Sequence, residues 1–281
     1  MTARTPPLAD AAPPSLDASA RPARPRWWWA GRDTWTVTKR NLRHFVRQPR
    51  LLVFSTVQPV MFVVLFAFVF GGVATTALPE GTTYIDFLIP GIFVQSAAFR
   101  TTQTAVGLAE DLERGVVDRF RSLPMARVAV LAGRTGADLV RNVAVLLLMA
   151  GVGYLIGFRF SEGVLAAVGS FAVVALFGFS LSWVFVYVAL HAPGAETAQS
   201  AGFVTIFPLV FASSVFVPVE TMPGWLQVFA ANSPVTAAAD AARGLAIGGP
   251  LARPMTMTLA WCIGLLLVAV PLSSRRYQRM T

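Results

Sequence analysis

LLVFSTVQPVMFVVLFAFVFGGV, residues Leu51 to Val73, runs for 23 residues without a charged side chain. A helix rises about 1.5 Å per residue, so about 20 apolar residues cross the roughly 30 Å hydrocarbon core of a bilayer. The stretch therefore predicts a transmembrane helix. The rest of the 281-residue chain agrees with it: 55% of residues are hydrophobic and 13% charged, and the mean hydropathy is +0.62. These values lie outside the range of ordinary soluble domains.

Working outward, five more apolar stretches follow. They are Phe87 to Ala109, Asn142 to Phe158 (extended backwards through Leu139), Gly163 to Leu190, Ala201 to Val217 and Met255 to Leu272. Pro90, Gly91, Gln95, Arg100 and Gln103 interrupt the second, and the short fifth admits a start near Ala195. The expected fold is an all-α integral membrane protein with six transmembrane helices.

The net charge of +9 raises nucleic acid as a partner, but the placement of the charges points to topology. Of the 23 basic residues, 19 fall in the N-terminal region, in the segment between the second and third stretches, or in the tail after the last stretch. Arg159, Arg243 and Arg253 fall in the alternate segments, and Arg100 lies inside a stretch. Basic residues accumulate on the cytoplasmic side of membrane proteins, so both termini are expected there.

Residues 1–32 are expected to form a disordered cytoplasmic tail. Met1 to Arg26 are rich in Ala, Pro and Arg, lack aromatics and show no signal-peptide pattern. Trp27, Trp28 and Trp29 then suit the headgroup layer. From Asp33 to Gln48, Trp35, Thr38, Leu42, Phe45 and Val46 recur at helical spacing, with Lys39, Arg40, Arg43 and Arg47 on other faces. This reads as an amphipathic helix in the membrane surface over 33–49. A solvated helix of a soluble domain is disfavoured by the hydrophobic run that follows at once. Residues 50–281 would form the six-span domain.

The segment Glu110 to Arg121, EDLERGVVDRFR, is a charged island in this apolar chain, followed by Ser122, Leu123 and Pro124. Leu108, Leu112, Val116 and Phe120 repeat every four residues, and Glu110 and Arg114 are spaced for an ion pair. Gly115 weakens a helix here and Pro124 stops it. A short amphipathic helix held between two spans suits a groove on a soluble partner; the competing reading is a solvated loop.

Catalytic chemistry finds little support. Lys39 is the only lysine, so no phosphate-binding loop ending in Lys-Ser or Lys-Thr exists. No catalytic set sits in any stretch. His44, His191 and Cys262 form no metal-ligand pattern, and no metal site is expected. A proton- or sodium-driven transporter usually needs intramembrane carboxylates, and the six stretches contain none at mid-span. Arg100, with Gln95 and Gln103 nearby, is the polar anomaly. Either these residues line a pathway for an amphiphilic substrate, or Arg100 snorkels or bonds to carbonyls near a bend.

Taken together, the run Glu110 to Pro124, then Arg127 and Gly133–Arg134, resembles the permeases of type-2 ATP-binding cassette (ABC) exporters. Leu88–Ile89–Pro90–Gly91, Asn232–Ser233–Pro234, Asp240 and Arg243 add to the resemblance. The nearest group is the actinobacterial daunorubicin-resistance permeases and their nodulation-transport relatives. The resemblance covers nearly everything from Asp33 onward. It implies that the segment after the second span is a coupling helix seated in an ATP-hydrolysing subunit. Its contact residues would be Glu110, Asp111, Glu113, Arg114, Gly115, Arg119, Phe120, Arg121, Ser122, Leu123 and Pro124. It also implies that Asp33 to Gln48 is the connecting helix and that the segment before the last span is re-entrant from outside. In the latter, Pro223, Gly224 and Trp225 make a turn, Asn232 or Ser233 caps a helix opening at Pro234, and Gly248–Gly249 follows.

These readings converge on a permease of the bacterial cytoplasmic membrane without cofactor of its own, ATP and Mg being held by a separate ATP-binding subunit. Six spans are too few for a two-fold pathway, so a second permease copy or a paralogue is expected beside it. The cargo is a hydrophobic antibiotic or another amphiphilic drug, with a lipid-linked glycan or polysaccharide as the alternative.

Overall fold

In a computed structural model, the described residues are 38, 49–74, 78, 82–115 and 127–280. Among them the secondary structure is entirely helical. The long helices are α1 (Pro49–Ala74), α2 (Tyr84–Glu113), α3 (Arg127–Ile156), α4 (Gly163–Ala189) and α5 (Ala195–Phe211). After a 3₁₀ turn at Val219–Thr221 come two short helices, α6 (Gly224–Asn232) and α7 (Pro234–Ile247), and then α8 (Ala252–Arg279). Segments Leu131–Ile156, Gly163–Ala189 and Ala252–Arg279 are long and apolar enough to cross a membrane; Val57–Val69 in α1 is a shorter apolar helix.

Local sequence explains the boundaries. Thr83 caps α2: its Oγ1 accepts from Asp86 N at 3.2 Å and its hydroxyl donates to the Asp86 carboxylate at 2.5 Å. The helix then runs through Pro90 without ending, although Pro90 suggests an interruption. Ser233 Oγ accepts from Val235 N at 3.3 Å, Pro234 takes the first helical position of α7, and Gly248 ends it at φ +89°. Here the structure matches the turn chemistry expected from sequence. The fifth helix begins at Ala195, the earlier of its two expected starts.

The bundle is organised around α2, which packs against α1, α3, α4, α5 and α7. Its residues from Phe87 to Ala98 are buried without a break, as a helix surrounded by others requires. Gly91 matters at one point: a β-carbon there would stand 2.5 Å from the Val215 carbonyl oxygen. α7 brings Ala237, Ala238, Ala239, Ala241, Ala242 and Ala246 into the core, and small side chains let helices approach closely where lipid supplies no hydrophobic drive. The outward surface is apolar. Leu155, Leu267 and Val268 are more than half exposed, a pattern suited to lipid.

At the end of α3, Arg159 Nη1 donates to the carbonyls of Tyr154 and Phe158, both at 2.7 Å. Its guanidinium lies 5.0 Å from the centre of the Tyr154 ring. A residue that entered the reading only through its charge thus satisfies helix-end carbonyls.

Candidate coupling site and polar core

The end of α2 carries the first half of the charged island. The helix is unbroken from the second apolar stretch through Glu113, and Gly115 follows at φ +65°, where a glycine is favoured. Glu110, Asp111 and Glu113 therefore form the last turn of α2 itself and move with it. Arg119, Phe120, Arg121, Ser122, Leu123 and Pro124 lie outside the described residues, as does the expected connecting helix over 33–49 apart from Thr38 and Pro49, which opens α1.

The acidic side chains of this turn point in different directions. Glu110 and Arg114 pair at 3.3 Å as their spacing predicts, both well exposed, and such a pair contributes little stability. Asp111 forms an ion pair with Arg134, joining α2 to α3. Gly107, one turn back, makes room for that guanidinium, since a β-carbon there would overlap it. Glu113 Oε1 accepts from Ala195 N at 3.1 Å. The N-cap of α5 is Gly194, which has no side chain to offer, so Glu113 reaches across to satisfy an orphan donor with a carboxylate. A single turn thus ties α2 to the beginnings of α3 and α5.

Two further residues of this end fit together. The Thr38 hydroxyl donates to the Gly133 carbonyl at 3.0 Å in a buried contact. The Gly133–Arg134 pair therefore meets Thr38 on one side and Asp111 on the other. Of the expected apolar stripe, Leu108 is buried and Leu112 half-buried against the chain's own core; at these two positions the stripe faces inward.

Gln95, Arg100 and Gln103 differ in exposure. Gln95 is buried, Arg100 is half-buried, and Gln103 is exposed. Arg100 lines a small cavity with Asp138, Arg141 and Asn142 of α3 and Ser182 of α4. Asp138 accepts from the Thr104 hydroxyl at 2.8 Å and pairs with Arg141 at 3.4 Å. The third helix starts at Arg127, so Asp138 and Arg141 lie inside the apolar segment Leu131–Ile156, long enough to cross a membrane. Asp138 therefore belongs to the apolar third helix, nearer the start of that segment than its middle, whereas the sequence placed it before the third stretch. Arg134, Asp138, Arg141 and Asn142 stand at steps of three and four, a polar helical stripe that the sequence displays but whose charges read more simply as a loop.

The profile of the ABC-2 type transporter family matches residues 32–247, about three-quarters of the chain. The chain belongs to the ABC-2 type transporter family. It is 35% identical over 263 residues to the daunorubicin resistance ABC transporter permease protein DrrB1 of Streptomyces coeruleorubidus, covering 94% of this chain and 91% of that protein. It is 30% identical to the probable doxorubicin resistance ABC transporter permease protein DrrC of Mycobacterium tuberculosis, over 86% of this chain and 87% of that one. It is 23% identical to the putative transport permease ycf38 of Cyanophora paradoxa, over 73% and 70%. This ABC-2 chain is thus a membrane protein related to drug-resistance permeases.

The opposite end of this ABC-2 bundle holds a second polar cluster. Arg243 of α7 donates from Nε to the Phe87 carbonyl at 3.0 Å, from Nη2 to the Ser214 carbonyl at 3.0 Å and from Nη1 to Asp240 at 2.5 Å. Its guanidinium also lies 3.6 Å from the centre of the Phe87 ring, within cation–π range. The Ser214 hydroxyl completes the set with a 2.7 Å bond to Asp240. Tyr84 Oη donates to the Phe216 carbonyl at 2.9 Å nearby. Arg243 therefore clasps the start of α2, the 213–216 segment and α7. Trp225, by contrast, stands 77% exposed on α6, as an interfacial ring would.

Proposed function

We propose that this chain is the permease subunit of an ATP-driven exporter of hydrophobic antibiotics or similar amphiphilic drugs, powered by a separate ATP-binding subunit. The observation that carries the reading is the nearly full-length similarity to permeases named for daunorubicin and doxorubicin resistance. A drug cargo is preferred over a glycan for the same reason. ATP and Mg belong to the partner, and a second permease copy or a paralogue completes the pathway. Transport is then not an enzymatic activity of this chain alone.

In this reading α1 to α5 and α8 are the six crossings, with both termini in the bacterial cytoplasm, and α6–α7 dip in from the outer side. The distribution of basic residues supports that orientation. The motor docks on Glu110 to Pro124. Displacement of the segment after Gly115 is passed to α2 directly, to α3 through Asp111–Arg134 and to α5 through Glu113 and Ala195. In this reading Gln103, the exposed one of the three candidate pathway residues, is the one that meets a ligand.

Co-expression with an ATP-binding subunit encoded beside this chain tests the proposal. The two should co-purify from membranes, and the complex in lipid should hydrolyse ATP faster when daunorubicin is added. A chain that purifies without any ATP-binding protein, and confers no ATP-dependent drug export, would overturn it.

A further inference from the structure

The polar cavity between α2, α3 and α4 belongs to neither the coupling end nor the outer clasp. Its polar lining includes Arg100, Thr104, Asp138, Arg141, Asn142 and Ser182, with Thr101 and Thr135 beside them, and its volume is about 20 Å³. A water needs about 10–15 Å³ measured in that way, together with two to four polar partners. Asn142 is only 6% exposed, and its Oδ1 has no hydrogen-bond partner among the described residues. A buried amide oxygen left unsatisfied is costly, so the position calls for a donor. The neighbouring Gly178 of α4 gives the amide its space: a β-carbon there would stand 2.8 Å from Asn142 Nδ2.

The chemistry of the lining selects the ligand. Asn142 Oδ1 needs a donor, whereas the guanidinium groups of Arg100 and Arg141 supply donors and attract acceptors. A small molecule that does both, such as water, fits. An anion would leave Asn142 Oδ1 unsatisfied, and a cation would face two guanidinium groups against one carboxylate.

We propose that this cavity is a water-binding site within the membrane-spanning bundle, with Asn142 Oδ1 as its principal acceptor. The water bridges α3 to the α2 and α4 walls and solvates the Arg100–Asp138–Arg141 charges, which the hydrocarbon would otherwise penalise.

Radiolytic hydroxyl labelling of the full chain in lipid nanodiscs, read by mass spectrometry, tests the site because radicals form at bound water. Phe179 and Leu139 line the cavity. Phe177 is fully buried outside that lining, and Leu267 is exposed on the apolar surface of α8. Phe179 should be labelled several-fold faster than Phe177, and Leu139 several-fold faster than Leu267. Asn142→Leu, which removes the acceptor and adds apolar bulk, should abolish both excesses. Equal rates within each wild-type pair would show a dry cavity and overturn the proposal, a result that needs no variant to fold. An excess that survives Asn142→Leu would overturn the assignment of Asn142 as the acceptor.

Discussion

Replacing Glu113 separates its two features, the acceptor oxygen and the negative charge. In the structure Oε1 accepts from Ala195 N at 3.1 Å and serves as the missing cap of α5. Glu113→Gln keeps an oxygen that can accept, and loses only the charge at the helix N-terminus, about 0.3–1 kcal/mol. Glu113→Ala also loses the cap, which costs about 0.5–2 kcal/mol. Both losses are small against the roughly 5–15 kcal/mol that holds a typical domain together, so either variant should insert and purify. Glu113→Ala should lower the midpoint of thermal unfolding in detergent by more than Glu113→Gln. In complex with the ATP-binding subunit it should hydrolyse ATP with less drug stimulation, because the α2 to α5 link is broken. If Glu113→Ala matches the wild-type chain in both thermal midpoint and stimulated hydrolysis, the cap carries neither stability nor coupling and the reasoning fails.

Arg243→Met removes the guanidinium donors of this clasp and leaves Asp240 with the Ser214 hydroxyl alone. Because Asp240 is about a third exposed, the cost should fall below the roughly 3–5 kcal/mol of breaking a fully buried pair, and Asp240→Leu combined with Arg243→Met should recover part of the lost thermal midpoint. Gly91→Ala sets a β-carbon 2.5 Å from the Val215 carbonyl oxygen, a backbone contact that cannot rotate away, so overpacking of about 1–3 kcal/mol should appear as reduced thermal stability. Reporter fusions after Glu80 and Arg253 should read outside and a fusion after Arg121 inside; a cytoplasmic Glu80 reporter would contradict the topology.

Much of the bundle was legible because its signals are local. Uncharged runs set the apolar helices, and Ser233–Pro234 and Gly248 mark the ends of α7 by hydrogen bonding and φ preference. The ion pair Glu110–Arg114 follows from its spacing alone. What stayed hidden depends on which helices are neighbours. Pro90 looks like an interruption, yet burial on all sides holds the helix together across it. Asp138 and Arg141 read as loop charges because the apolar run begins after them, whereas in the fold their cost is offset by Thr104 and by each other. Arg243 looked like one of a few outer charges. Its role as a clasp needs carbonyls from residues 29 and 156 positions away, which no local pattern reveals. Glu113 stood in the charged island as a contact for a partner, and its bond to Ala195 is visible only in three dimensions.

The central claim is that a separate motor drives drug export through the segment following α2. The most direct measurement is ATP-dependent uptake of daunorubicin into inside-out vesicles that contain this chain and its ATP-binding subunit, compared with vesicles in which Glu113, Arg114 and Phe120 are all replaced by Ala. Wild-type vesicles should accumulate the drug only with ATP and Mg present, and the triple variant should lose both accumulation and retention of the ATP-binding subunit while still inserting in the membrane. Undiminished uptake and undiminished association in the triple variant would contradict the account.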